Sequence, residues 1–193
     1  MLHDPSPELS LPVRVILRNG AQLVVREIRP QDKDALHDAF RLLSDESRYT
    51  RLMASMKDLP EAMLESATHP VPVQQFVLVA AMDDSEGSAL VGGARYAAAP
   101  GSDTCEFAVT VIDGWHGLGL AKLLMQTLIH AARVAGYRTM EGFVLASNRG
   151  MRGLAHRLGF TDTVCPDDWN LRVVVLDLTG EAGPAPAGRQ RGA

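Results

Sequence analysis

The sequence predicts one α/β domain of six or seven strands flanked by about four helices. Three observations lead there. Short apolar runs suited to strands recur along the chain, stretches with helical three- and four-residue steps separate them, and one strand passes through a glycine turn straight into a long helix. The 193 residues, 46% of them hydrophobic and 22% charged, suffice for one proper core and are too few for two ordinary domains.

Taken in order, residues 13–28 alternate about Asn19-Gly20, a dipeptide that tolerates the positive φ of a tight turn, and read as a two-stranded opening after an extension at 1–12. Past Pro30, the residues Ala35, Leu36, Ala39, Phe40, Leu42 and Leu43 recur at helical spacing, with Asp32 and Asp34 where a helix start favours negative charge. A second helix is expected over 60–67, and the stretch around Ser47-Arg48-Tyr49 between the two has no assignment. Apolar runs at 76–82 and 90–96, joined by Asp83-Asp84-Ser85-Glu86-Gly87, read as adjacent strands. A β-rich stretch at 104–112 ends at Asp113-Gly114, and a long helix follows from near Gly117 to about Ala135. Its Leu120, Leu124, Leu128, Ala131 and Ala135 form the stripe that packing on a sheet requires.

Gly136 stops that helix and 139–145 supplies another strand. Asn148 then starts a helix whose Met151, Leu154, Ala155 and Leu158 share a face and which Gly159 ends. Residues 171–178 make the last strand, so the domain proper spans 13–179. The tail 180–193, almost entirely Gly, Ala, Pro, Arg and Gln, is expected to be disordered.

Composition excludes several classes of function. A formal net charge of −4 without a basic run predicts no nucleic-acid partner. No apolar stretch is long enough to cross a bilayer, and the start Met1-Leu2-His3-Asp4-Pro5 is unlike a secretion signal, so a cytoplasmic protein with no membrane partner is expected. Cys105 and Cys165 form no Cys-x-x-Cys, and His37, His69 and His130 lack metal-ligand spacing, so reduced thiols and no metal are expected.

The most informative stretch is Val109-Thr110-Val111-Ile112-Asp113-Gly114-Trp115-His116-Gly117-Leu118-Gly119-Leu120-Ala121-Lys122. Two glycines at a strand-to-helix junction let the backbone approach an anion, and the unpaired N–H groups of the first helical turn point towards it. Lys122 adds charge at the rim. Taken bare, the pair fits an anion site and a tight packing turn equally. A dinucleotide fingerprint would need a third glycine, and an NTP loop would need Gly-Lys-Ser/Thr; both are absent.

The run His116-Gly117-Leu118-Gly119-Leu120-Ala121 resembles the cofactor motif of the GNAT acetyltransferases, and Asn148 to Phe160, ending in Leu-Gly-Phe, is similar to that family's later segment. The Ser44 to Arg51 stretch, the wording around Trp115 and Glu141-Gly142-Phe143-Val144 are similar to the GNAT domain of bacterial Pat-type protein lysine acetyltransferases. The resemblance implies a mixed, mostly antiparallel sheet with a V-shaped split that takes acetyl-CoA or another short acyl-CoA. Along Val109-Thr110-Val111, the backbone at Val109 and Val111 would pair with the pantetheine amides. The amides of Gly117, Leu118, Gly119, Leu120, Ala121 and Lys122 would hold the pyrophosphate, and Asn148 would lie near the pantetheine arm. His116 departs from the usual Gln or Arg and either contacts phosphate or caps the turn.

The reaction implied is direct attack of an uncharged amine on the thioester, with a general base to deprotonate an amine that is mostly protonated at neutral pH. Glu106 stands where the Pat-type enzymes place such a base; the plain alternative is a carboxylate on a wet sheet face or in an ion pair. Alternation sets Glu106, Ala108 and Thr110 on one face and Cys105, Phe107, Val109 and Val111 on the other. Cys105 is thus read as core rather than nucleophile. The tyrosine that often protonates the leaving thiolate in this superfamily is replaced by Ala155, and His156 beside it is read as surface. Trp115 is read as a packing anchor or a lining of the cofactor opening. Ser47, Arg48, Tyr49 and Arg51, with Met53, Met56 and Met63, either face the acceptor or serve as connector and core. The acceptor implied is a protein lysine, with a small-molecule amine or a non-catalytic acyl-CoA sensor as alternatives, and a homodimer is left open.

Overall fold

A computed structural model describes residues 11–52 and 58–180. The elements run β1 (Val13–Ile16), β2 (Gln22–Glu27), a 3-10 turn (Pro30–Asp32), α1 (Lys33–Arg41), α2 (Asp45–Leu52), α3 (Glu61–Thr68), β3 (Gln75–Ala81), β4 (Leu90–Ala97) and β5 (Thr104–Val111). A second 3-10 turn (Asp113–Trp115) leads to α4 (Leu120–Val134), β6 (Thr139–Leu145), α5 (Arg149–Arg157), β7 (Thr161–Val164) and β8 (Leu171–Asp177). The strands form one sheet in the order β1-β2-β3-β4-β5-β6-β8-β7, and only β5 and β6 pair in parallel. Met53 and Met56, and the segments 1–10 and 181–193 that hold most of the expected extension and tail, lie outside the described residues.

The expected kind of fold is present, with eight strands among the described residues in place of six or seven and five α-helices in place of about four. The additions are elements whose sequences carry little apolar signal. β7 reads Thr-Asp-Thr-Val and is mostly exposed, held by its ladder with β8. α2 reads Asp-Glu-Ser-Arg-Tyr-Thr-Arg-Leu, and no residue among 44–49 is buried. The long helix begins at Leu120 rather than near Gly117, because both glycines of the turn have positive φ.

Period-two alternation gives the sheet two apolar faces. On β3, Leu78 and Ala80 join the larger core, while Val79 and Ala81 join a smaller one beneath α1. α4 drives Leu120, Leu124, Met125 and Leu128 into the larger core against Ala94, Cys105, Phe107 and Val111, and Leu154 and Ala155 of α5 meet the same cluster. Burial of side chains of this size stabilises by about 1.5–3 kcal/mol each. α4 also provides the crossover that a parallel β5–β6 pair requires.

The opposite face carries α1, whose entry is fixed by a buried ion pair. Arg26, in the middle of β2, donates to both carboxylate oxygens of Asp32 at 2.6 and 2.8 Å, and Asp32 also accepts the Arg29 N–H at 2.7 Å. Burial pushes the Asp32 carboxyl up, but the Arg26 guanidinium and the Arg29 N–H outweigh it and hold the group below its ordinary value.

Candidate functional site

The sheet parts at β5 and β6. The two strands pair only at Thr104↔Thr139, Cys105↔Met140 and Glu106↔Glu141. Beyond that, β5 runs on to Val111 paired with β4, and β6 runs on to Leu145 paired with β8. Each strand therefore follows its outer neighbour, and a wedge opens between 107–111 and 142–145. The Phe107 ring lies at the start of this gap over Gly142: a Cβ on Gly142 would fall 2.5, 2.8 and 2.9 Å from three of its atoms. Phe160 meets the same ring edge-on at 5.2 Å between centroids.

Main-chain direction along β5 follows from its end. The Ile112 N–H donates to the Val91 carbonyl on the β4 side at 3.0 Å, so by alternation Val109 and Val111 turn their N–H and C=O groups into the wedge. These are the groups an extended amide-bearing ligand could pair with. The Val111 carbonyl accepts a hydrogen bond from His116 Nε2 at 2.8 Å. A carbonyl can only accept, so this ring nitrogen carries the proton and donates back to the end of β5. Thr110 points its side chain to the opposite face, where its Oγ1 is buried without a hydrogen-bond partner.

The Gly117-Leu118-Gly119 turn has φ +75° at Gly117 and +92° at Gly119, conformations an L side chain rarely adopts. Gly119 is the N-cap of α4 and makes no side-chain cap bond, so the N–H groups of Leu120, Ala121 and Lys122 face outward at the positive end of the helix dipole. Two cations flank them. Lys122 is exposed in the first turn, and Arg18, from the β1–β2 turn, has Nε 3.9 Å from where a Gly119 Cβ would lie. Among the described residues neither has an ion-pair partner. Cations at a helix N-terminus are unfavourable unless an anion joins them. Asn148 lies beyond the open end of β6, its side chain capping α5 by accepting the Met151 N–H at 3.0 Å.

Glu106 stands on the last paired rung before the strands part, exposed and directly beside Glu141. Both line a recess of about 360 Å³ together with Arg95, Thr104 and Ala108. Arg95 pairs across β4 with Ala108, one rung further along the same face, and has no ion-pair partner among the described residues. A second, apolar cavity of about 180 Å³ lies between the sheet and α1 and α3, lined by Leu36, Phe40, Met63, Gly93 and Thr110, and it shares Arg95 and Ala108 with the recess.

Cys105 is fully buried on the α4 face, and burial pushes its thiol up to about 12, which leaves no thiolate to act as nucleophile. Cys165 is buried as well. Trp115 packs against the larger core, Ala155 is fully buried and His156 is exposed. Among the described residues no group of His, Cys, Asp or Glu could hold a metal ion, and no helix is long and apolar enough to cross a membrane. Arg18, Arg95 and Glu141 are additions that sequence reading missed. The parity of Glu141 along its strand was visible, but its partner across the ladder was not.

A split parallel pair, a glycine turn opening a helix and a carboxylate at the fork define the class of protein: an acyltransferase fold of the acetyltransferase kind. The chain belongs to the acetyltransferase (GNAT) family, whose pattern matches residues 36–160. It is 34% identical over 152 residues, 79% of this chain and 82% of the relative, to the acetyltransferase PA5475 of Pseudomonas aeruginosa. In structure it is similar to the GNAT domain of S. lividans PAT, with a TM-score of 0.77, 26% identity, and coverage of 86% of this chain and 96% of that one. The fold also matches yncA of Salmonella typhimurium, an acetyltransferase structure with its cofactor acetyl-CoA, at a TM-score of 0.66, 22% identity, and coverage of 86% and 99%.

Proposed function

We propose that this protein transfers the acetyl group of acetyl-CoA to a primary amine, with Glu106 as general base and a protein lysine as acceptor. The carrying observation is the position of Glu106: exposed, on the last rung before the wedge, where the head of a ligand lying along Val109 and Val111 would arrive. The groups present suit acetyl-CoA. Val109 and the Val111 N–H offer pairing for pantetheine amides, and the 117–122 turn with Arg18 and Lys122 offers donors and positive charge for phosphates.

Acetyl-CoA supplies a thioester carbonyl as the electrophile. Glu106 takes the proton that makes the acceptor an ammonium, the freed nitrogen lone pair attacks that carbon, a C–N bond forms as the C–S bond breaks, and the nitrogen's second proton passes to solvent as the CoA thiolate leaves. Glu106 and Glu141 together present two carboxylates at the recess, which draws in a cationic amine before it is deprotonated. The open recess and the likeness to the PAT domain favour a lysine on a protein surface. A small amine is the second reading, favoured by the apolar cavity that adjoins the recess and shares Arg95 and Ala108 with it.

The test is acceptor-dependent release of free thiol from acetyl-CoA across lysine-bearing proteins, polyamines, amino acids and aminoglycosides. Release with folded proteins supports the lysine reading. Efficient release with small amines alone replaces it with the second, and binding without release for every acceptor points to a sensor.

A further inference from the structure

The glycine turn and the helix layer over the opposite sheet face meet at one carboxylate. Asp113 opens the 3-10 turn Asp113–Trp115 that leads into Gly117, and both its oxygens engage the start of α2. Oδ2 accepts the Ser44 N–H at 2.7 Å and Oδ1 accepts the Ser47 hydroxyl at 2.5 Å, while Ser44 Oγ accepts the Ser47 N–H at 3.2 Å. Asp113 thus braces Ser44, which itself caps α2 by accepting the Ser47 N–H, from more than sixty residues away in the chain. The Ser47 hydroxyl, and then the Ser44 donors, hold its carboxyl below the ordinary value. These contacts matter because an eight-residue helix is not stable alone, and no residue among 44–49 is buried.

At its other side α2 is tied to α1. Arg48 Nη2 donates to the Arg41 carbonyl at 3.0 Å, satisfying the end of α1, and the guanidinium lies over the Phe40 ring at 5.5 Å. Phe40 and Leu36 wall the apolar cavity that adjoins the Glu106 recess. One unbroken series of contacts therefore runs from the turn before Gly117 through Asp113, α2 and Arg48 to the wall beside the recess.

We propose that Asp113 is a positioning residue that passes occupation of the Gly117–Gly119 turn to α2, so that the acceptor-side wall is set when acyl-CoA is bound. This rests on the acyl-CoA reading of the turn. A ligand that orders 117–122 also restrains the adjoining 3-10 turn, and with it the carboxylate that braces the Ser44 cap of α2. The coupling is carried by a cap, so its size is that of a cap: about fivefold in the opening equilibrium of the first turn of α2.

The experiment is hydrogen exchange of backbone amides with and without saturating CoA, in wild type, Asp113→Ala and Ser47→Ala, reading peptides over 44–52 and 117–124. Ser47→Ala leaves the turn's own sequence intact and keeps the test open if Asp113→Ala folds poorly. The expected result is slower exchange in both wild-type peptides on adding CoA, with the variants keeping the effect at 117–124 and losing about fivefold protection at 44–52. A mere loosening of α2 would speed its exchange equally with and without CoA. Wild-type α2 indifferent to CoA, or CoA-dependent protection of α2 that survives in both variants, would overturn the coupling. Absence of protection in both wild-type peptides would overturn the acyl-CoA reading and the coupling with it.

Discussion

A methyl group added at Gly142 tests what holds the wedge open. Its Cβ would lie 2.5–2.9 Å from three atoms of the Phe107 ring, closer than carbon atoms approach, and that ring is itself 6% exposed and set against Phe160. The ring must shift against Phe160 or towards the recess that it also lines, so Gly142→Ala costs about 1–3 kcal/mol. For a chain of this length that lowers Tm by about 2–12 °C. Phe107→Ala removes the obstacle at its own cost of about 3–5 kcal/mol. In that background Gly142→Ala should cost almost nothing, giving a coupling of about 1–3 kcal/mol in a double-mutant cycle. The assay is equilibrium denaturation of the four proteins by urea, read as midpoint and slope. Equal costs of Gly142→Ala in both backgrounds would refute the claim that this ring fills the space above residue 142.

Two further outcomes follow from the fold and the turn. Asp32 has a lowered carboxyl value in the folded protein, so its pair with Arg26 contributes fully above the unfolded carboxylate value of about 3.9 and loses its contribution as pH falls through the lower folded value. Asp32→Asn leaves buried Arg26 with only the exposed Asp84, 3.5 Å from its Nε, as a charge partner and should cost about 3 kcal/mol near pH 7, the gap to wild type narrowing towards pH 2; a gap of constant size would contradict the assignment. Arg18→Ala should raise the Kd for CoA about tenfold at low salt, less at high salt, and unchanged affinity in calorimetry would remove Arg18 from the phosphate site.

The sequence exposed those parts of the molecule whose signal is local. Strands β3 to β5, α4 with its Leu120, Leu124 and Leu128 stripe, and the Asn148 cap of α5 each depend on spacing within one element, and each lies within a few residues of its expected place. α2 was missed because it buries nothing among 44–49, and its Ser44 cap is braced by Asp113 from a distant part of the chain. β7 was missed because its four residues depend on β8 rather than on an apolar pattern of their own. The same division holds at the site. Glycine spacing and the parity of Glu106 were legible in one dimension, whereas Glu141 beside it, Arg95 one rung away and Arg18 over the turn are neighbours only across strands and loops.

The central claim, that Glu106 is the base for acyl transfer at the fork, is tested most directly by comparing wild type with Glu106→Gln in two measurements on the same preparations: CoA affinity, and thiol release at saturating acetyl-CoA with the best acceptor. Glutamine keeps the size of the side chain and removes its basicity. The account predicts an unchanged Kd and a kcat lower by about 10²–10⁴-fold. Undiminished kcat with intact binding would contradict it and move the base elsewhere in the recess.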